Sequence, residues 1–199
     1  NQEIIYLGAA SSGKSHFVGL AFLLDLLIGL GETYCCMVST SKDTLLQRSF
    51  ASSLEYLNCL KQNGIPVPLK FIAQKTAIVP SNVDDIAGVK SMLKGIAIAE
   101  GSDIEMKSSL IGVHQRIVRA AADEIEVMGP RAAAFLAAQS NLRMGCENYK
   151  MCTMFNPMSL NSPGTLLATP DRPGGWGSLD PDTAETWNTK EGRCVVRFD

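Results

Sequence analysis

Apolar positions along this chain fall into short solid runs separated by longer stretches with helical spacing. Ile4-Ile5-Tyr6-Leu7 is a compact apolar run of the kind a strand buried on both faces shows. The stretch from Gly13 to Leu30 is the most apolar in the chain and has the length of a helix. Gly31 after it suits a helix C-terminus. The core of this stretch, Phe17 to Leu30, carries Asp25 and is too short to span a bilayer. It is expected to be a buried helix packed between a sheet and another layer. Residues 34–39 (Tyr-Cys-Cys-Met-Val-Ser) read as a second buried strand. From Lys42 to Gln62, Leu45, Leu46, Phe50, Leu54, Leu57 and Leu60 recur near the helical period, until Gly64-Ile65-Pro66-Val67-Pro68 breaks the pattern.

Further on, residues 70–79 predict an edge strand, 84–93 a short helix, and 95–99 and 109–113 short strands. Residues 116–122 form the next strong strand candidate and end on Asp123-Glu124. Pro130 to Arg143 predicts a helix with proline in its first turn, where its missing N–H is tolerated. Tyr149 to Phe155 is a strand running into Asn156-Pro157. From there to about Thr189 the chain is rich in Pro, Gly, Asn, Ser and Thr and reads as irregular connection or lid. Val195 to Asp199 is again strand-like. Strands alternating with helices predict an α/β domain with a mainly parallel sheet flanked by helices.

Composition narrows the picture only modestly. The 199 residues are 46% hydrophobic and 19% charged, as expected of one globular domain with a substantial core. A net charge of −2 gives no global attraction for nucleic acid, so any such contact must come from a local patch. The lysines at 61, 70, 75, 90 and 94 read as a solvated face. The six cysteines contain no C-x-x-C pair and no metal-ligand grouping with His16 or His114, which suits free core thiols in a reducing compartment. Met144, Met151, Met154 and Met158 read as core filler, and Trp176 as an anchor for its Pro-Gly-rich loop. The chain opens almost directly on a strand and stops on another, so a fragment of a longer protein is expected.

Candidate chemistry starts at Gly8-Ala9-Ala10-Ser11-Ser12-Gly13-Lys14-Ser15, which fits the P-loop pattern G-x-x-x-x-G-K-[ST]. The glycines let backbone N–H groups curl around phosphates, Lys14 reaches the β/γ oxygens, and the Ser15 hydroxyl completes a Mg²⁺ shell. A strand before the loop and a helix after it supply the required setting. The expected ligands are therefore ATP and Mg²⁺. Hydrolysis needs a further carboxylate for the metal and a group to orient water. Asp123 is the candidate metal carboxylate and Glu124 the candidate water-activating residue, with Glu126 as the fallback. The competing reading is an acidic helix start, and Arg119 with three alanines makes an imperfect strand. Asn156, at the end of a neighbouring strand, is the candidate sensor of the phosphate state; the alternative is a plain Asn-Pro turn.

In this order, over residues 4–160, these parts resemble the ATPase domain of viral and phage terminase large subunits, the motors that package DNA into proheads. The resemblance implies a P-loop NTPase of the additional-strand, RecA-like class, with Gly8–Ser15 as Walker A, Asp123 with Glu124 as Walker B and catalytic base, and Asn156 as the coupling residue. It also implies an arginine finger, for which Arg116 just before the Walker B strand is the first choice and Arg131 and Arg143 the others. Terminases often carry an arginine inside Walker A; here Ser11-Ser12 stand there. The adenine-binding segment is missing apart from Asn1-Gln2, and so is the nuclease domain. The resemblance further implies double-stranded DNA, portal protein and small terminase subunit as partners, a homo-oligomeric ring when active, no membrane, and the cytoplasm of the infected host cell. The rival readings are another nucleic-acid motor of helicase or RecA type, a small-molecule kinase, and a nucleotide-binding regulator with negligible turnover.

Overall fold

The computed structural model describes residues 2–10, 12–84, 86–98, 113–180 and 182–198, and in 130–134 the backbone only. Its centre is a nine-stranded sheet with order β3-β4-β5-β2-β6-β7-β1-β9-β8. The strands are β1 (Gln2–Gly8), β2 (Thr33–Ser39), β3 (Leu69–Ile72), β4 (Ala77–Pro80), β5 (Met92–Ala97), β6 (Ile117–Asp123), β7 (Asn148–Phe155), β8 (Thr186–Asn188) and β9 (Cys194–Phe198). The six consecutive strands from β5 to β9 in that order are parallel, and β4 and β8 run antiparallel to their neighbours. The parallel strands are apolar on both faces because helices cover both. The helices are α1 (Lys14–Ile28), α2 (Lys42–Gln47), α3 (Ser49–Gln62), α4 (Pro130–Arg143) and α5 (Pro163–Leu167). No helix among the described residues is long and apolar enough to cross a membrane.

The apolar patterning placed most of these elements, and the exceptions have physical causes. The expected helix 42–62 is two helices that meet at Arg48, whose backbone (φ −123°, ψ −94°) is not helical. Residues 70–79 are a hairpin, β3 and β4, around a single 3₁₀ turn. The short helix expected at 84–93 is absent: turns lead into β5 there, although Asp85 lies outside the described residues. Most of the strand expected at 109–113 also lies outside them. The first helix ends at Gly29 rather than Gly31, and the irregular 157–189 stretch contains α5, a 3₁₀ turn and β8. In that stretch Trp176 packs edge-on against Trp187 at 5.6 Å. Met151 and Met154 are core residues, but Met144 and Met158 are exposed. Cys59 is exposed, and Cys146 and Cys194 are half-buried.

Arg119, the charge that interrupts the β6 run, is only 5% exposed and is hydrogen-bonded through Nε and Nη1. Its Nε donates to Asp25 on α1 at 2.6 Å, and Nη1 donates to the Val118 and Asn148 carbonyls and to Asn148 Oδ1. Burial of a guanidinium costs less when a carboxylate and backbone carbonyls accept from it in this way. The ion pair ties α1 to the sheet.

One face of the sheet carries α1 and α3 over a core that includes Leu23, Leu26, Met37, Phe50 and Leu57. The other carries α4 over Phe135, Leu142, Tyr149 and Phe155. α1 and α3 approach closely at Gly19, where an added Cβ would lie 2.7 Å from Ser52 Cβ and 3.1 Å from the Ser49 carbonyl. Ser53 Oγ donates to the Gly19 carbonyl at 2.9 Å across the same contact. Gly19→Ala should therefore destabilise the domain by about 1–3 kcal/mol through overpacking, against at most about 1 kcal/mol gained in helix propensity. Urea unfolding, with the midpoint shifted down at unchanged m, would register it.

Candidate nucleotide site

The carboxyl ends of β1, β6 and β7 converge on one edge of the sheet, where open parallel α/β sheets bind ligands. The glycine-rich loop 8–15 links β1 to α1 there. Gly8 lies beside the last residue of β9, where a Cβ would fall 2.1 Å from the Phe198 carbonyl oxygen, so only glycine fits. Gly13 has φ 82° and ψ 4°, the left-handed conformation glycine adopts without steric penalty, and immediately precedes α1. Ser11 lies outside the described residues.

Lys14 folds back into this loop. Its three Nζ–H donors face four acceptors within hydrogen-bonding distance: the carbonyls of Gly8 (3.0 Å) and Ala9 (2.7 Å), Ser12 Oγ (2.9 Å) and Asn156 Oδ1 (3.0 Å). Burial pulls its pKa below the usual lysine value, and Asp123 partly opposes that shift. The loop lysine and the asparagine ending β7 thus meet directly, although 142 positions separate them.

Asp123 ends β6 with a buried carboxylate. Its Oδ2 accepts from Ser15 Oγ at 3.1 Å and from Ser49 Oγ. Glu124 follows with φ 59° and ψ 44°, one of two non-glycine residues at positive φ among the described residues. Such a conformation costs on the order of 1–3 kcal/mol and persists only where surrounding structure enforces it. Here the Glu124 N–H donates to the Met154 carbonyl at 2.9 Å, and its carboxylate pairs with Arg48. The reversed backbone explains how two consecutive carboxylates both line one cavity, although side chains alternate along a strand. The cavity is about 660 Å³ and is lined by Lys14, Ser15, Arg48, Asp123, Glu124 and Asn156, among others. A second cavity of about 650 Å³, between α4, α5 and the β8–β9 turn, lacks a comparable convergence of polar groups.

The hard oxygen donors Ser15 Oγ and Asp123, 3.1 Å apart beside the loop, suit Mg²⁺, which takes few protein ligands and fills its shell with phosphate and water.

The remaining candidates sit elsewhere. Arg116 precedes β6 at the amino edge of the sheet, where it pairs with Glu32 and Glu147. Seven positions of extended chain separate it from Asp123, roughly 23 Å at the usual strand rise. It does not reach this cavity within one chain. Arg143, at the carboxyl end of α4, pairs with Glu3 at 3.2 Å at the same far edge. Arg131 lies in α4, and its side chain is outside the described residues. Glu126 is engaged elsewhere: its carboxylate accepts from the backbone N–H groups of Gly164 and Thr165 and from the Thr165 hydroxyl. It thereby fixes the start of α5. The residues that patterning missed are Arg48 and Ser49. Within one continuous helix 42–62, Arg48 reads as a surface charge, and no sequence signal marks the break that brings it to Glu124.

No protein-family model and no curated protein matches the sequence. Solved structures do match. The chain aligns over 98% of its length with the large-terminase ATPase domain of Thermus phage P74-26, at TM-score 0.62 and 15% identity, covering 74% of that chain. The fold is that of phage large-terminase ATPase domains. All of this chain also aligns with the N-terminal domain of the bacteriophage phi29 DNA packaging ATPase, at TM-score 0.62 and 15% identity, covering 90% of that domain. The large terminase of a second thermophilic bacteriophage, solved in complex with ADP, aligns over 80% of this chain at TM-score 0.53 and 16% identity, covering 34% of that protein. The terminase ATPase fold here is thus a mostly parallel nine-stranded α/β sheet flanked by helices on both faces.

Proposed function

We propose that this chain is the ATP-hydrolysing motor domain of a terminase-type DNA packaging machine. The observation that carries the reading is the convergence of Lys14, the Ser15–Asp123 pair, Glu124 and Asn156 on one cavity beside a glycine-rich loop. The ADP complex of a protein with this fold supports a nucleotide as the ligand. The loop amides and Lys14 would hold the phosphates, and an incoming triphosphate would compete for Lys14 with the carbonyls and with Asn156. Ser15 and Asp123 would hold Mg²⁺, which lowers the charge on the phosphates when bound. Glu124 would orient and deprotonate the attacking water. Asn156, released from Lys14, would pass the phosphate state to the segment that Glu126 anchors at α5.

Within the chain, Arg48 is the arginine paired with Glu124 and would steady charge that develops beside it. Its loss should lower kcat for phosphate release about a hundredfold while ATP affinity stays within about threefold. Arg48→Ala in steady-state ATPase assays would decide this, with Arg48→Lys recovering part of the rate. Arg116, at the opposite edge, can serve only a different subunit. In the proposed assembly the chain works as a ring on double-stranded DNA, docked to a portal protein and served by a small terminase subunit, in the cytoplasm of the infected cell.

Mg²⁺-dependent phosphate release from ATP by the full-length protein, stimulated by DNA and proheads, tests the reading. Absence of nucleotide binding would sink it. Phosphoryl transfer to a small acceptor would favour the kinase alternative.

A further inference from the structure

Ser49 is the first residue of α3 and is completely buried. Its hydroxyl donates to Asp123 Oδ2, the oxygen that Ser15 also meets, and makes no other hydrogen bond among the described residues. Ser15 has a second task as a metal ligand; Ser49 has none. A buried carboxylate is stabilised by such donors, and a charge-assisted bond to a fixed hydroxyl holds its rotamer. What brings Ser49 there is not its own helix alone. The chain breaks at Arg48, so that Arg48 and Ser49, neighbours in sequence, engage Glu124 and Asp123, also neighbours. The height of α3 over the sheet is then set by its close approach to α1 at Gly19, where a Cβ would meet Ser52 and the Ser49 carbonyl; the Ser53–Gly19 hydrogen bond stabilises the packed pair. α1 itself begins at the phosphate loop. Ser49 therefore sits on a helix registered against the same helix that carries Lys14 and Ser15.

We propose that Ser49, on the reading of this cavity as a Mg·ATP site, is a positioning residue for metal binding: it fixes the Asp123 carboxylate that holds the metal without touching metal or nucleotide itself. In mechanism it differs from Arg48, which faces Glu124. Its contribution is confined to metal affinity, because the phosphate contacts come from the loop and Lys14.

The test uses Mn²⁺ as the probe, followed by electron paramagnetic resonance, with the full-length protein and a non-hydrolysable ATP analogue. Ser49→Ala should raise the Mn²⁺ concentration for half-saturation about tenfold, as expected for loss of a hydrogen bond to a charged group. Binding of a fluorescent ATP analogue in EDTA should stay unchanged. Ser49→Cys, slightly larger and with a weaker donor, should fall between. Ser53→Ala removes a hydrogen bond from the same helix contact without touching Asp123; it should lower thermal stability and leave Mn²⁺ affinity at the parent value. Parent-like Mn²⁺ affinity in Ser49→Ala overturns the assignment. So does an equal loss of metal-free nucleotide binding, or an equal Mn²⁺ defect in Ser53→Ala, since each is what a merely structural serine would give. If the parent protein itself binds no ATP analogue, it is the nucleotide reading that fails.

Discussion

Glu124→Gln should bind ATP within about threefold of the parent and release phosphate about 10²–10⁴ times more slowly, the range that loss of a positioned general base produces. Glutamine keeps the shape and can still orient a water, but it cannot take the proton. The structure sharpens this expectation because Glu124 is held by its backbone as much as by its side chain. The left-handed conformation and the N–H bond to Met154 belong to the main chain and survive the substitution. The side chain loses only its charge and hence its pairing with Arg48. That pair is largely solvent-exposed on the Arg48 side, so its loss should change stability by no more than about 1 kcal/mol. A large kinetic effect with a small thermal shift is the expected signature. Single-turnover phosphate release alongside calorimetry separates the two, and a rate equal to the parent's would remove Glu124 from the base role.

Lys14→Ala carries the other large effect. Its three N–H donors are shared among four oxygens within hydrogen-bonding distance. Those acceptors are loop carbonyls, Ser12 and Asn156, in a partly open cavity where water can replace the lysine. Burial already disfavours the charged form, as the lowered pKa indicates. Ligand-free stability should therefore change little. ATP affinity should fall by about a hundredfold or more, because the triphosphate loses a charge-assisted contact and the only lysine of the loop. A ligand present at a hundred times its Kd raises stability by about 2.7 kcal/mol. Saturating Mg·ATP should therefore raise the parent's melting temperature by several degrees and leave that of Lys14→Ala nearly unmoved. An equal ligand-induced shift in both proteins would show that Lys14 does not hold the phosphates.

The two variants also separate the roles of Asn156. In Lys14→Ala the Asn156 amide loses its partner, while in Glu124→Gln it does not. A conformational change in the segment beyond Pro157 that occurs in the second protein on ATP binding but not in the first would follow from the Lys14–Asn156 contact.

Much of this was legible from local pattern. The glycine-rich loop announces itself because its backbone is left-handed at Gly13, which glycine adopts without steric penalty, and because β9 leaves no room for a Cβ at Gly8. Asp123-Glu124 and Asn156 stand at the ends of apolar runs, where parallel strands deliver their side chains to one edge. The helix break at Arg48 was not legible, because Leu45, Leu46, Phe50 and Leu54 keep nearly helical spacing through it. The distance of Arg116 from this chain's own cavity has a related cause. Nearness to Asp123 in sequence becomes distance in an extended strand, so a residue seven positions earlier lies at the opposite edge of the sheet.

The sequence by itself determined the alternation of strands and helices, the glycine-rich loop between the first strand and helix, and the acidic and amide residues at strand ends, since each depends on contacts within a few residues or on burial of a local apolar run. Only the tertiary structure decided that Lys14 meets Asn156, that Ser49 holds Asp123 and that Arg48, not Arg116, faces Glu124. Those pairings join residues far apart along the chain. They follow from the order in which parallel strands enter the sheet and from the close packing of α3 on α1, neither of which leaves a periodic trace in the sequence.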